Sequence, residues 1–167
     1  VYTSSQYFRE TNYEPEIFFE DHFHRNWILR TGLNHQSNGR GGDLERSWNR
    51  ALTSVQFAGE KWLVGVNVWS LIFQASSSDL HNKNIEHYLG RDSLLLAHKL
   101  YQSTLSVQLQ NLENLPRRGS VTASVSLPVT NHVMLFTQYF NGYGQSLIEY
   151  NHRTQGLGIG IALNDWI

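Results

Sequence analysis

The 167-residue sequence contains no cysteine, only three prolines and no long apolar run. The lack of cysteine excludes disulfides, a thiol nucleophile and a cysteine-ligated metal. No stretch approaches the ~18 consecutive apolar residues of a transmembrane helix, and the first residues, Val1 to Ser4, resemble a strand more than a secretory signal. The formal net charge is only −1, so we expect no nucleic acid partner, which would require a basic surface.

Aromatic residues and glycine are plentiful, at 13% of the chain and 13 residues respectively. This composition favours strands joined by turns over helices. Apolar and polar residues alternate with a period of two in about ten segments, which predicts about ten strands in one domain spanning residues 1–167. The predicted strands lie near residues 1–7, 13–23, 26–37, 46–58, 62–73, 86–98, 103–111, 119–128, 132–142 and 154–165.

The two alternating faces differ in composition. One face is apolar, and the other carries serine, threonine, glutamine, glycine and asparagine, while most charges fall in the connections. An apolar outside and a polar inside are typical of an antiparallel transmembrane β-barrel. A soluble β-sandwich or barrel is the alternative, since its strands also alternate. Aromatic residues near the strand ends fit the interfacial girdles of a membrane barrel: Tyr7, Trp27, Trp48, Trp62, Trp69, Tyr139, Tyr143 and Trp166.

The segment 34–50 is the most informative for function. It predicts a β-hairpin in which His35 and Ser37 end the apolar face of one strand and Asn49 lies on the apolar face of the other. If the hairpin turns symmetrically about Gly42, residues whose numbers sum to 84 lie opposite each other, with Cβ atoms roughly 5 Å apart. The predicted pairs include His35 with Asn49 and Ser37 with Ser47.

Serine, histidine and asparagine in this arrangement can act as a nucleophile, a general base and an orienting group. A histidine with a pKa near ~6.5 can take a serine proton near neutrality, and asparagine can fix the ring tautomer without adding charge. We therefore predict Ser37 as nucleophile, His35 as general base and Asn49 as the residue that orients it. A chance surface pair is the alternative for His-X-Ser taken alone. His22 and His24 have no third ligand nearby, so we expect them in solvent and not on a metal.

Several sequence blocks are distinctive: Phe8–Pro15, Asn34–Arg40, Arg46–Arg50, and Gly142–Asn151 with Leu163–Asp165. Through these blocks the chain closely resembles, over nearly its whole length, the outer-membrane phospholipase A family of Gram-negative bacteria. The resemblance implies a twelve-stranded barrel whose serine hydrolyses acyl esters of glycerophospholipids and lysophospholipids, and which is active as a calcium-dependent homodimer. By motif position the family's serine, histidine and asparagine fall on Ser37, His35 and Asn49.

The resemblance also implies a calcium site in the loop after Ser37. Oxygen ligands suited to a hard cation are the backbone carbonyl of Arg40 and the carboxylates of Asp43 and Glu45. Glu45 stands where the family usually has a serine. We expect calcium in this loop, together with the Ser37 backbone amide, to stabilise the oxyanion of the reaction.

The chain departs from the family pattern on its amino-terminal side. The first two strands of the family barrel have no counterpart in the sequence, the family's long loop between Tyr7 and Phe8 is missing, and Ser4 aligns with a glutamine that pairs across the dimer. We therefore expect one β-barrel domain that lacks upstream strands and some loops.

The sequence thus predicts a serine hydrolase of the outer membrane, with its site on the lipid-facing wall so that phospholipid arrives sideways from the bilayer. The rival from another class is a non-catalytic channel or structural barrel, which would need no aligned Ser37, His35 and Asn49. An outer-membrane protease is a second rival, but the sequence offers no obvious Asp-His pairing for one.

Overall fold

The computed structural model describes residues 10–73, 82, 84–130 and 132–163. The predicted strand near residues 1–7, the aromatic residues Tyr7 and Trp166, the junction between Tyr7 and Phe8, and Ser4 all lie outside these residues. The strands are β1 (Glu16–His24), β2 (Trp27–Ser37), β3 (Ser47–Ala58), β4 (Trp62–Leu71), β5 (Asp92–Leu100), β6 (Ser103–Gln110), β7 (Ser120–Pro128), β8 (Val133–Gly142) and β9 (Thr154–Leu163). One α-helix, α1 (Ile85–Leu89), and two 3₁₀ turns (Gly42–Leu44 and Leu112–Asn114) lie in the connections.

The described strands form one antiparallel sheet in the order β1 to β9, in which each strand pairs with its neighbours in sequence. The predicted all-β antiparallel fold is confirmed. β2 and β3 pair in the predicted register, with His35 opposite Asn49 and Ser37 opposite Ser47. Within the described part of the chain, β1 and β9 are the two edges of the sheet.

The strand predicted over residues 86–98 is wrong in its first part. Helix α1 occupies those first residues, and β5 begins only at Asp92. Ile85 and Leu89 are both buried. Because they are four residues apart, they lie on one face of a helix, but they would also lie on one face of a strand, so their spacing alone does not distinguish the two. Gly90, with φ of 69°, ends the helix in a backbone conformation that favours glycine.

The outward face of the sheet is apolar and open. Ile159, in the middle of β9, exposes 73% of its surface. Monomeric soluble proteins rarely leave a continuous apolar surface of this kind uncovered, so the finding fits a wall that faces lipid. Other exposed apolar residues on the same face are Val66, Val68, Leu96, Leu105, Val107, Leu127, Leu135, Leu157 and Ile161.

The opposite face encloses a polar cavity. Side chains from six consecutive strands, β1 to β6, line it, so the sheet curls around it. Inside, Arg50 donates hydrogen bonds to Glu14 at 2.7 Å and to Asn34 at 3.0 Å. At the other side of the curl, the Glu10 carboxylate accepts hydrogen bonds from backbone amides in the β8–β9 connection, 137 and 138 residues away. The segment before β1 therefore meets the far end of the sheet.

The two ends of the sheet differ in the length of their connections. The short connections β1–β2, β3–β4 and β5–β6, at residues 25–26, 59–61 and 101–102, lie at one end, and long connections such as 38–46 lie at the other. At the long-loop end, a buried apolar cluster lies next to the polar cavity, since Trp69 packs against the cluster and also lines the cavity. This loop-end cluster consists of Trp48, Ile85, Leu89, Leu147 and Tyr150. None of the described helices is long and apolar enough to cross a membrane.

The predicted aromatic girdle is correct only in part. Trp27 and Trp62 expose 39% and 53% of their surface on the outer wall. Trp48 is buried, donates its indole N–H to Gln36 Oε1 at 2.7 Å, and packs edge-to-face against Trp69 inside the sheet. Position near a strand end does not decide whether an aromatic residue belongs to a girdle, because alternation turns every second one inward.

Candidate active site

His35 and Asn49 lie opposite each other on the outer wall, near the long-loop end of β2 and β3. The His35 Nδ1 atom and the Asn49 Oδ1 atom are 2.8 Å apart. Because the asparagine carbonyl can only accept, it holds the neutral ring in the tautomer that carries its proton on Nδ1. The other ring nitrogen, Nε2, is then an acceptor that can take a proton.

Ser37 follows His35 by two residues and therefore lies on the same face of β2. Its backbone is fixed on both sides. The Ser37 N–H donates to the Tyr13 carbonyl at 2.9 Å, the Tyr13 N–H donates to the Ser37 carbonyl at 2.8 Å, and Ser47 lies across the strand pair. No hydrogen bond between the Ser37 hydroxyl and the His35 ring occurs among the described residues. The structure thus forms the His35–Asn49 pair and brings Ser37 onto its face.

The expected role of the Ser37 backbone amide in oxyanion stabilisation is wrong. That amide is consumed by its bond to Tyr13, an isolated bridge that prolongs the β1–β2 pairing beyond the strand. The next amides are also engaged: Asn38 N–H donates to the Arg46 carbonyl, and Arg40 N–H donates to the Asn38 side chain. Among the described residues 37–40, Gly39 is the one whose amide has no such partner.

An open apolar groove of about 340 Å³ runs beside the pair. His35 and Asn49 are among the residues that line it, and its wall is largely apolar. The groove lies on the outer face, and Leu33, two residues before His35, exposes 46% of its surface there. Its lining residues are Pro15, Glu16, Ile17, Leu33, Asn34, His35, Asn49, Ile72 and Phe73.

The loop 38–46 holds the three predicted calcium ligands. Asp43 is exposed in the 3₁₀ turn, and half-buried Glu45 follows directly after it. No group of three or more His, Asp or Glu side chains gathers at one point in the described ranges. The donor set of Arg40 carbonyl and two carboxylates is nevertheless all oxygen, which suits a hard cation. A Cβ placed at Gly41 or Gly42 would meet no atom within 4 Å, so the loop has room beside these donors.

Sequence reasoning missed Asn38, which is fully buried directly after Ser37. Its side chain accepts from the Arg46 amide at 3.0 Å and donates to the Leu44 carbonyl at 2.8 Å. The Asn-Gly pair at 38–39 is a recognisable turn signal, and it could have identified this residue. His22, in contrast, lies 3.2 Å from Glu20 on an exposed part of β1.

The fold and the site define a class: an all-β protein with an apolar outer wall that carries a serine, a histidine and an asparagine beside an apolar groove. A sequence model described as phospholipase A1 matches residues 1–163. The chain therefore belongs to the phospholipase A1 family, the outer-membrane phospholipases A, and is an outer-membrane protein.

Individual relatives of known sequence and structure support this family membership. The phospholipase A1 of Proteus vulgaris is 40% identical over 164 residues, and that of Escherichia coli K12 is 39% identical; each alignment covers 95% of this chain and 55% of the relative. The solved outer membrane phospholipase of Salmonella typhi, a dimer with bound calcium, has a TM-score of 0.80 and 38% identity, over 94% of this chain and 62% of that one. The chain thus spans about half the length of the relatives it matches.

Proposed function

We propose that the protein is a calcium-dependent phospholipase A that cleaves acyl ester bonds of glycerophospholipids and lysophospholipids in the outer membrane. The observation that carries the proposal is the 2.8 Å contact between His35 Nδ1 and Asn49 Oδ1 on the lipid-facing wall, with Ser37 on the same face. Polar groups facing lipid are costly and are therefore usually functional. Family membership supports the reaction type.

The proposed reaction begins when His35 Nε2 removes the proton of the Ser37 hydroxyl as the serine oxygen attacks the ester carbonyl. Asn49 holds the ring so that Nε2 can accept, and the resulting imidazolium returns its proton to the leaving alcohol. Water then hydrolyses the acyl-serine, with His35 again as base. Asn49 adds no negative charge, so it stabilises the imidazolium less than an aspartate would.

The developing oxyanion needs donors other than the Ser37 amide. Among residues 37–40, the Gly39 N–H is the amide without a hydrogen-bond partner, and we assign it to the oxyanion. Arg40, Asp43 and Glu45 are the residues that would hold calcium. Calcium bound there would add positive charge near the reacting carbonyl. The calcium bound in the Salmonella typhi relative supports a role for calcium in this family.

The different lengths of the connections at the two ends of the sheet indicate from which side of the membrane the substrate approaches. Outer-membrane barrels carry short turns on the periplasmic side and long loops outside, and His35 and Asn49 lie toward the long loops. The substrate would then be phospholipid of the outer leaflet. We also propose a homodimer, as in the Salmonella typhi relative, because two convex walls together can enclose an acyl chain that one wall leaves exposed.

The test is release of fatty acid from phospholipid in mixed micelles, with calcium and with excess chelator. We expect release of one fatty acid per cleaved ester with calcium and loss of release with chelator. A protein that conducts ions in planar bilayers but releases no fatty acid would instead be a channel. The loop-end cluster, which borders the polar cavity at Trp69, argues against an open channel.

Changing Glu45 to glutamine should raise the calcium concentration needed for half-maximal activity. Removal of one carboxylate charge lowers the affinity of an oxygen site for calcium, and we expect about a tenfold increase, equivalent to ~1.4 kcal/mol. Calcium titrations of fatty acid release provide the measurement. Glu60→Gln, in an exposed turn at the opposite end, is the matched control. An unchanged requirement in Glu45→Gln would leave Glu45 as a solvated loop residue.

Leu33→Ala should weaken hydrolysis of long-chain esters more than that of short-chain esters. Leu33 lines the groove beside His35, and loss of apolar contact is equivalent to ~0.8 kcal/mol per buried CH₂. We expect about a tenfold lower kcat/KM on long chains, corresponding to ~1.4 kcal/mol. Leu96→Ala, on the same wall but away from the groove, should leave kcat/KM unchanged for both long-chain and short-chain esters. Equal losses on both chain lengths would mean that the acyl chain lies elsewhere.

A further inference from the structure

We propose that Asn38 is a positioning residue that fixes the loop 38–46 and thereby holds Ser37 and the calcium ligands in place. The inference rests on the proposed function of this site. Asn38 is 0% exposed and stands directly after Ser37 in the chain. Full burial of an asparagine is tolerated only when its polar atoms are hydrogen-bonded, and here each side-chain atom has a partner inside the loop.

The hydrogen bonds of the Asn38 side chain reach three parts of the loop. The Oδ1 atom accepts from the Arg40 amide at 3.3 Å and from the Arg46 amide at 3.0 Å. The Nδ2 atom donates to the Leu44 carbonyl at 2.8 Å. One side chain is therefore bonded to Arg40, Leu44 and Arg46. These three residues lie around Asp43 and Glu45 in the loop.

Only an amide side chain of this length can both accept hydrogen bonds from the Arg40 and Arg46 amides and donate one to the Leu44 carbonyl. An aspartate would keep the two acceptor contacts, but it cannot donate to the Leu44 carbonyl and would place a negative charge beside that oxygen without exposure to water. A serine could not span the same distances. The Asn38→Asp side chain therefore has nearly the same shape as the asparagine. It differs in the loss of one hydrogen bond and the gain of one negative charge.

The backbone of Asn38 links this loop to the nucleophile. Its N–H donates to the Arg46 carbonyl at 3.0 Å, and its carbonyl accepts from the Thr11 N–H at 3.3 Å. Gly39 follows with φ of 62°, and a Cβ there would lie 2.8 Å from the Thr11 carbonyl. A shift of Asn38 would move Ser37 on one side and the Gly39 amide on the other.

Asn111 offers a matched control at the same end of the sheet. It is 1% exposed, and its Nδ2 atom donates to the Tyr88 carbonyl at 3.1 Å, while its Oδ1 atom accepts from Asn114 at 2.8 Å. These bonds organise the region around α1 and the second 3₁₀ turn, not the loop 38–46. A general penalty for a buried aspartate would affect Asn38→Asp and Asn111→Asp alike.

The experiment compares wild type, Asn38→Asp, Asn38→Ser and Asn111→Asp in detergent micelles. It measures kcat and KM, calcium affinity by isothermal titration calorimetry, amide exchange of residues 38–46, and heat resistance of the folded form on gels. A misplacement of about 1 Å can cost about 100-fold in rate, so we expect Asn38→Asp to lower kcat on that order. We also expect weaker calcium binding and faster exchange in the loop, with Asn111→Asp altering heat resistance alone.

Wild-type kcat and calcium affinity in Asn38→Asp would overturn the proposal, as would equal losses of both in Asn111→Asp. If Asn38→Asp does not fold, Asn38→Ser decides: it should fold and show faster exchange at Arg46 with weaker calcium binding, and unchanged exchange would overturn the proposal. Absence of hydrolysis in the wild type would contradict the proposed function, whereas the loop exchange and calcium affinity would still report on Asn38.

Discussion

Ser37→Ala should abolish hydrolysis of phospholipid esters, and His35→Ala should do nearly the same, while both proteins keep the heat-resistant gel mobility of a folded barrel. Without the hydroxyl there is no oxygen to form the acyl intermediate. Without the imidazole, the serine loses a general base whose contribution is typically about 10² to 10⁴-fold. Asn49→Ala should retain a reduced rate, since the base remains and only its orientation through the 2.8 Å contact is lost. Initial rates of fatty acid release measure all three variants.

Ser47 provides the control for these variants. It lies opposite Ser37 in the β2–β3 register and at the same level of the sheet, but nothing assigns it a step in the reaction. Ser47→Ala should therefore stay close to the wild-type rate. A fully active Ser37→Ala protein would exclude Ser37 as the nucleophile. An inactive Ser47→Ala protein would indicate that Ser47 is the nucleophile instead.

Val107→Arg is expected to destabilise the folded protein strongly, although Val107 is exposed. Val107 lies in the middle of β6 on the apolar outer face, whereas its neighbour Gln108 lines the polar cavity. An arginine on the lipid face near the bilayer midplane costs about 2–4 kcal/mol. In a soluble protein an exposed valine could be replaced at little cost, so this variant discriminates between the two environments.

The matched variant is Gln108→Arg, which places the same side chain one residue further along the strand and on the other face. It should be far milder, because the cavity is polar. Denaturant unfolding in lipid vesicles, followed by gel mobility, measures both free energies of unfolding. Equal stability of the two variants would contradict a wall that faces lipid.

The hairpin could be predicted from the sequence because two local signals agree there. Alternation fixed which residues share a face, and a symmetric turn about Gly42 fixed the register, which the structure reproduces at His35 and Asn49. In an antiparallel pair a slip of one residue would move every side chain to the other face. The apolar pattern before His35 therefore left little freedom in the pairing.

Other features depend on contacts that a single sequence does not reveal. Ile85 and Leu89 fit a strand as well as a helix, and only burial against Leu147 and Tyr150 favours α1. The Ser37 amide was expected to be available because its partner, Tyr13, lies 24 residues earlier in the chain and beyond β1. Trp48 was assigned to the membrane interface from its position, but strand alternation places it on the inner face, where its indole N–H donates to Gln36.

The most direct measurement is covalent labelling of the purified protein in detergent micelles with a long-chain alkylsulfonyl fluoride, followed by identification of the modified residue by mass spectrometry. The proposed site predicts one sulfonyl group on Ser37, with the fluoride as leaving group, faster labelling with calcium than with chelator, and loss of labelling in His35→Ala. Stoichiometric modification of another serine, or labelling of Ser37 that is independent of His35, would contradict Ser37, His35 and Asn49 as the catalytic residues.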